Sequence, residues 1–328
     1  MDIQNSFSFS DREFFEYKTN RKQFLESMDK SIPWHSWLKL VRKHYYKNET
    51  GRPSYDLEKM LRIYLVQNWF SLADEAMEQT LYDSRAIGEF VGISSVSDIP
   101  DESTILRFRH LLERNKLQDK FFAQTTEILT KNNLRLKQGT IIDATIIDAP
   151  VSVKNKEGDK LDKDAGYTKK GLGYHFGYKA HIGVDAKLGL VHSNVVTPAN
   201  EADITQTHKL LREDDKVCYG DAGYIGVENR EEISRNKYFS RIKFKINRRP
   251  SSWRNFPENE REKIKKQEKR KSQIRSIVEH PFGVIKQIFK FRKTRYRGLR
   301  KNIAKMNMMF ALVNIYFINK RKIKVAWT

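Results

Sequence analysis

From Gly139 to Pro150 the chain reads GTIIDATIIDAP. The run is apolar almost throughout, and Ala149-Pro150 closes it, because a residue before proline is pushed out of helical geometry. This pattern predicts a buried β-strand. Yet the strand carries two carboxylates, Asp143 and Asp148. A buried carboxylate is costly unless it is paired or bound to metal. Side chains alternate along a strand, and 143 and 148 differ by an odd number. A regular strand therefore turns only one of them toward any shared site. Asp148 stands at the exit of the strand, Asp143 within it.

The texture of the chain changes on either side of this strand. Residues 1–135 read as helical. In SYDLEKMLRIYL the apolar Leu57, Met60, Leu61, Tyr64 and Leu65 recur at helical spacing. SLADEAMEQTLYD opens with Ser71 and Asp74 at the spacing of a capping box. In PDESTILRFRHLLERN, Asp101 or Ser103 offers a cap and Ile105, Phe108, Leu111 and Leu112 form an inner face. Arg107, His110 and Arg114 then share the outer face. Short helices with one basic outer face match either a helix-turn-helix DNA reader or an ordinary solvated surface.

After Leu136 strands alternate with helices. YHFGYKAHIGVDA and LGLVHSNVVTPA predict a hairpin turning at Lys187–Gly189, with Val151–Gly173 as a polar loop before it. EADITQTHKLLRE predicts a helix, KVCYGDAGY and SRIKFKINR two more strands, and Ser251–Lys271 a very basic linker or short helix. SQIRSIVEHPFGVIKQIF and the C-terminal segment predict the last helices. The order β-β-β-α-β-α-β-α is that of an α/β, ribonuclease H-like mixed sheet with flanking helices, here preceded by an all-α N-terminal domain. The division predicted is 1–135, helical and DNA-binding, and 136–328, catalytic, including the basic C-terminal helices.

Charge narrows the function. The chain has 328 residues, 39% of them hydrophobic, a net charge of +21 and a pI near 9.8. That is enough apolar content for a core, and so basic a chain points to a polyanion, nucleic acid above all. From Lys286 to Thr328 there are 13 Lys or Arg and no acid. The single cysteine, Cys218, forms no internal disulfide and suits a reducing cytosol. MDIQNSFSFSDREFF lacks the pattern of a signal peptide, and MNMMFALVNIYFI is too short to span a membrane, so it predicts a core helix.

Two further carboxylates join Asp143. Asp221 ends a strand in YGDAGY, and Glu279 lies in RSIVEHPFGVIK. Magnesium and manganese take hard oxygen ligands, and three carboxylates from two strands and a helix suffice for two such ions. Two metals at one site drive in-line displacement at phosphorus. On a continuous helix Arg275 and Lys286 share the face of Glu279, ready for phosphates. Pro281 predicts a kink or restart there. His181 and His192 either face each other across the hairpin or sit as polar residues on a half-exposed sheet. Asp203 suits a helix start, and Lys169 and Lys170 a loop that touches DNA.

Taken together, GRPSYDLEKMLRIYLVQNWFSLADEAMEQTLYDS, GTIIDATIIDAP, TKKG, HFGYKAHIGVDAKLGLVHS, GDAGYIGVE and VEHPFGVIKQIFKFRKTRYRGLRKN resemble the DDE transposases of bacterial insertion sequences, in particular the insertion sequence 5 family. The resemblance implies catalytic, metal-binding roles for Asp143, Asp221 and Glu279. It also implies a Tyr-x2-Arg-x3-Glu-x6-Lys signature, of which Arg275, Glu279 and Lys286 are present while Ser272 stands at the Tyr position. It implies Mg2+ or Mn2+ as cofactor, two ions by the two-metal scheme, and binding of the element's terminal inverted repeats, with cleavage and strand transfer. Partners would be double-stranded transposon-end and target DNA and further copies of the chain, with no membrane, in the bacterial cytoplasm at the nucleoid. The expected DNA contacts are Arg107, His110, Arg114, Arg275 and Lys286. The alternatives are a transposase-derived DNA-binding regulator and a ribonuclease H-like nuclease.

Overall fold

The computed structural model describes residues 17–46, 53–131, 139–151 and 161–323. The N-terminal stretch read for a leader, the boundary near 135, much of the loop after Val151 and the end of the C-terminal basic run lie outside the described residues.

The N-terminal part is helical as expected: α1 Asn20–Asp29, α2 Trp34–Tyr45, α3 Leu57–Phe70, α4 Asp74–Asp83, α5 Arg85–Val91, α6 Glu102–Arg114 and α7 Leu117–Lys131. Leu57, Met60, Leu61, Tyr64 and Leu65 are all buried, so the helical spacing marks the inner face of α3. Asp56 caps α3 by accepting from the Lys59 amide at 3.0 Å. Asp101, not Ser103, caps α6, accepting from the Thr104 amide at 2.6 Å. The Ser71–Asp74 capping box does not form. Ser71 ends α3 in the left-handed region (φ 51°), and its hydroxyl donates to the Phe289 carbonyl at 2.7 Å; α4 starts with Ala73 as its cap. A distant carbonyl has taken the hydroxyl that a local motif would use.

Among the described residues the sheet has six strands: β1 Thr140–Asp148, β2 Gly166–Lys170, β3 Gly173–Asp185, β4 Val191–Pro198, β5 Val217–Gly220 and β6 Lys243–Ile246. The order is β2-β3-β1-β5-β6, with β4 also on β3. β3 is antiparallel to β1, β2 and β4, while β1, β5 and β6 run parallel. Without β2 the order is β4-β3-β1-β5-β6 with β3 alone antiparallel to the rest, which is the ribonuclease H-like arrangement. β2 is unexpected, because Gly166–Lys170 reads as polar loop but completes a hairpin with β3. Gly177 sits at the junction, paired to Asp148 on one side and Gly166 on the other. A Cβ there would meet the Ile147 carbonyl oxygen at 2.2 Å.

Both faces of β1 are covered. Ile141 and Ile147 enter one core, and Ile142 a second with Leu210, Cys218 and Tyr224. The first core runs without a break from Leu25 to Ile318. The last helix, here α10 (Leu299–Lys320), passes through it and is buried nearly all round, as an all-round apolar helix must be. It packs on α7 and β4. Its Asn314 amide bonds both the N–H and the C=O of Val191 on the β4 edge, at 2.8 and 2.7 Å. Asn307 joins Asn194 on β4 to Asp119 on α7. The helical part and the sheet thus share their interior.

Candidate active site

Asp143 lies in an uninterrupted stretch of β1, opposite Ile182 of β3. Its Oδ1 accepts from the Ala144 amide at 2.8 Å. Its side chain is 17% exposed, and Oδ2 stands 3.5 Å from Nη1 of Arg275. Burial, and then the Glu279 and Asp221 carboxylates, push its acid strength down until the pKa reaches about 7. Both other carboxylates are therefore within electrostatic reach of Asp143.

Asp221 follows β5 directly. It starts a short 3-10 turn, Ala222–Tyr224, by accepting from the Gly223 amide at 2.8 Å. Since β5 is parallel to β1 and adjacent to it, the end of β5 delivers Asp221 to the Asp143 side of the sheet. Glu279 comes from a third element. Helix α8 (Glu258–Arg275) runs into a 3-10 turn, Ser276–Val278, and then α9 (Glu279–Gly283). Its Oε1 lies 3.4 Å from the same Arg275 Nη1 that faces Asp143. One guanidinium nitrogen stands between two of the three carboxylates.

Pro281 breaks nothing, because α9 restarts at Glu279 and places Pro281 in its first turn, where amide protons lack helical acceptors anyway. A π-turn, Val284–Ile288, follows. Its Lys286 faces β1, with Nζ 2.6 Å from Thr145 Oγ1 and 3.0 Å from the Ile146 carbonyl. Burial and the Lys170 and Arg292 charges lower its pKa. Thr145 shares the face of Asp143, two residues away, so Lys286 belongs to the same surface. Sequence pattern had not picked out Thr145, which looks like any β-branched strand residue.

The two aspartates of β1 part company as the pleat requires. Asp148 pairs with Gly177 in unbroken register and bonds His175 at 2.9 Å. Other expectations need correction. His181 and His192 do not face each other: His181 is fully buried, opposite Val195 and bonded to Thr197, while His192 bonds Thr140. Asp203 does not cap a helix start; it pairs with Lys179 at 2.9 Å and lies 3.7 Å from His181. Lys169 and Lys170 are in β2, not in a loop. The basic linker is an 18-residue helix, α8, with no buried residue. Tyr224 was missed. It is 1% exposed, and burial together with Asp143, Asp203 and Asp221 holds its phenol well above the usual range, so it underlies the acidic group. Its position in GDAGY was the available signal.

On α6, Arg107 and Arg114 are exposed and His110 is partly so. Arg107 bonds Ser103, and Arg114 bonds the His110 carbonyl. Between them the helix hides Arg109, 6% exposed, paired to Asp74 at 2.7 Å and Glu113 at 3.0 Å.

A transposase DDE domain family matches residues 134–315, more than half of the chain, and a second transposase domain family (DUF772) matches 12–111. The chain belongs to the DDE transposases. It is thus an enzyme of metal-dependent DNA cleavage and transfer, and DNA is its partner. The matches reach the transposase domain, not the insertion sequence 5 family. No solved structure matches the chain significantly. No helix among the described residues of the transposase is long and apolar enough to cross a membrane.

The donor set suits the divalent ion that DDE transposases use. Asp143, Asp221 and Glu279 offer only hard carboxylate oxygens, and their mutual repulsion, visible at Asp143, is what a cation relieves. Among the described residues no three such side chains are already assembled to hold an ion. Arg275 supplies the local positive charge between Asp143 and Glu279.

Proposed function

We propose that this transposase binds the terminal inverted repeats of its own insertion sequence and cuts and joins DNA strands at Asp143, Asp221 and Glu279. The observation that supports it most is the convergence of three carboxylates from β1, the end of β5 and the start of α9, with Arg275 between two of them. These carboxylates would hold magnesium or manganese, two ions by the two-metal scheme, which supply charge stabilisation at the phosphoryl oxygens. The chain's own residues set the surroundings. Arg275 balances the acidic pair and offers a guanidinium to an approaching phosphate. Lys286, seated on Thr145, keeps a cation beside Asp143 on the same face of β1. In the first step water attacks phosphorus, one P–O bond forms and one breaks, and a 3′-hydroxyl is released. In the second, that hydroxyl attacks a phosphodiester of target DNA with the same balance, so no nucleotide is consumed.

End recognition falls to the helical region 1–135, through the exposed Arg107 and Arg114 and the half-buried His110 of α6. Copies of the chain would pair on DNA so that both ends are held together. The test is a gel shift on terminal-repeat duplex with full-length protein, run beside a plasmid excision assay in magnesium and in manganese. Arg107→Ala with Arg114→Ala should lower the slope of log affinity against log salt by about 2, since each phosphate contact carries about 0.9. An unchanged slope, or equal affinity for random duplex, would sink the assignment of end recognition to α6.

A further inference from the structure

A pocket of about 310 Å3 opens where the N-terminal helices meet the end of β1. Its walls are Ser71 and Leu72 after α3, Pro150 after β1, and the segment Lys290–Tyr296, with Lys305 of α10 behind. Five cations line it: Lys290, Arg292, Lys293, Arg295 and Lys305; no carboxylate does. Lys305 is 7% exposed, and its ammonium donates to the neutral amide oxygen of Asn68 at 2.8 Å, not to an acid. Asp74, the nearby acid, is already bonded to Arg109. Burial and the charges of Arg109 and Arg295 weaken the hold of Lys305 on its proton. A buried cation with a neutral partner, faced by four more cations, is an expensive arrangement that an anion would complete.

The walls are fixed independently of any ligand. The Thr294 amide bonds the Asp148 carbonyl at 2.8 Å, Ser71 bonds the Phe289 carbonyl at 2.7 Å, and Thr294 Oγ1 bonds Asn302 at 2.6 Å. Lys290 holds a left-handed backbone (φ 58°), between the Phe289 and Phe291 amides that bond the Val284 and Ile285 carbonyls. Toward the candidate active site the positive charge continues. Arg292 bonds the carbonyl of Lys286, and Lys286 sits on Thr145.

We propose that this pocket seats one internucleotide phosphate of the DNA duplex held by the transposase. Resting on the reading of Asp143 as part of the cutting site, the contact lies a definite distance from the cut. Pro150 is seven residues beyond Asp143, just past the end of β1, about 23 Å along extended chain at 3.3 Å per residue. For a duplex lying along β1, with one base pair per 3.4 Å, the seated phosphate is about seven base pairs from the cut.

The experiment uses full-length protein and end duplexes that carry one neutral methylphosphonate, moved along each strand in turn. Wild-type binding should fall about tenfold at one position near the seventh base pair from the cut. In Lys293→Gln/Arg295→Gln, and separately in Lys305→Met, that position should lose its effect. A position effect that persists in both variants, or no sensitive position, overturns the proposal. A second arm adds inorganic phosphate against chloride at equal ionic strength and follows the melting temperature. Stabilisation of wild type but not of the variants, without a sensitive position on DNA, would assign the pocket to a small free anion and overturn the DNA assignment. Asp143→Asn should keep the same methylphosphonate footprint. Normal cutting by Asp143→Asn would break the reading of the cutting site, whereas the footprint judges the pocket by itself.

Discussion

The two sides of β1 make the most instructive comparison in the molecule. One side carries Asp143 and Thr145, shut in by Arg275, Glu279 and Lys286. The other ends in Asp148, 46% exposed beside His175. The residues are identical in kind, five positions apart on one regular strand. Parity alone sends one to a crowded acidic group and the other to a half-exposed pair with a base. The lesson is that an ionisable residue acquires its character from the face it is given.

The largest effect tests that contrast directly. Asp143→Asn, Asp221→Asn and Glu279→Gln should each lower strand cleavage and strand transfer by about a thousandfold or more, since each removes a charge on which phosphoryl transfer depends. Binding to end DNA should persist in gel shifts. Full cleavage by any of the three would remove that residue from the site.

Lys286→Met sharpens the comparison from the face of β1 that carries Asp143 and Thr145. It removes the cation seated on Thr145 and leaves the three carboxylates in place. Cleavage in a single-turnover assay should fall roughly 10- to 100-fold, the scale of losing one electrostatic contact to a transition state. Activity at the wild-type level would make Lys286 a strut of the fold only.

The pH dependence of stability tests the Asp143 side without catalysis. In the folded chain Asp143 keeps its proton up to about pH 7, whereas in an unfolded chain it loses it near 4. The folded state therefore binds more protons between those values, so its stability falls as pH rises through that window. In chelator, Asp143→Asn should be more stable than wild type at pH 8 by about 1–3 kcal/mol, and the gain should vanish near pH 4. Chemical denaturation at several pH values measures it. A variant less stable than wild type at pH 8 would show that the Asp143 carboxylate is already compensated.

The smallest effect is expected at Asp148. Asp148→Asn loses one half-exposed pair with His175, so excision should stay within about fivefold of wild type. An inactive Asp148→Asn beside an active Asp143→Asn would reverse the comparison.

Much of this was written in the chain itself. The apolar run of β1, its closure at Pro150, and the odd spacing of its aspartates fixed a strand and its parity before any tertiary contact was known. The helical spacing in α3 and the Asp101 cap of α6 were likewise local matters of geometry and hydrogen bonding. The order of strands and helices announced the fold class. Other features depend on partners far away in sequence. Ser71 gave its hydroxyl to Phe289, 218 residues on, instead of to its own helix. The polar stretch at Gly166–Lys170 became a strand because β3 offered it an edge. Asp203 met Lys179 on β3, and His181 met Thr197 on β4, rather than the neighbours their spacing suggested. Arg275 reached Asp143 across 132 residues, and Lys305 was buried behind a pocket wall with four other cations by a helix that looked merely apolar. Local pattern determines backbone state because its hydrogen bonds close within a few residues. Which charges finally face one another is decided only when distant elements pack, since that packing sets both their separation and their access to water.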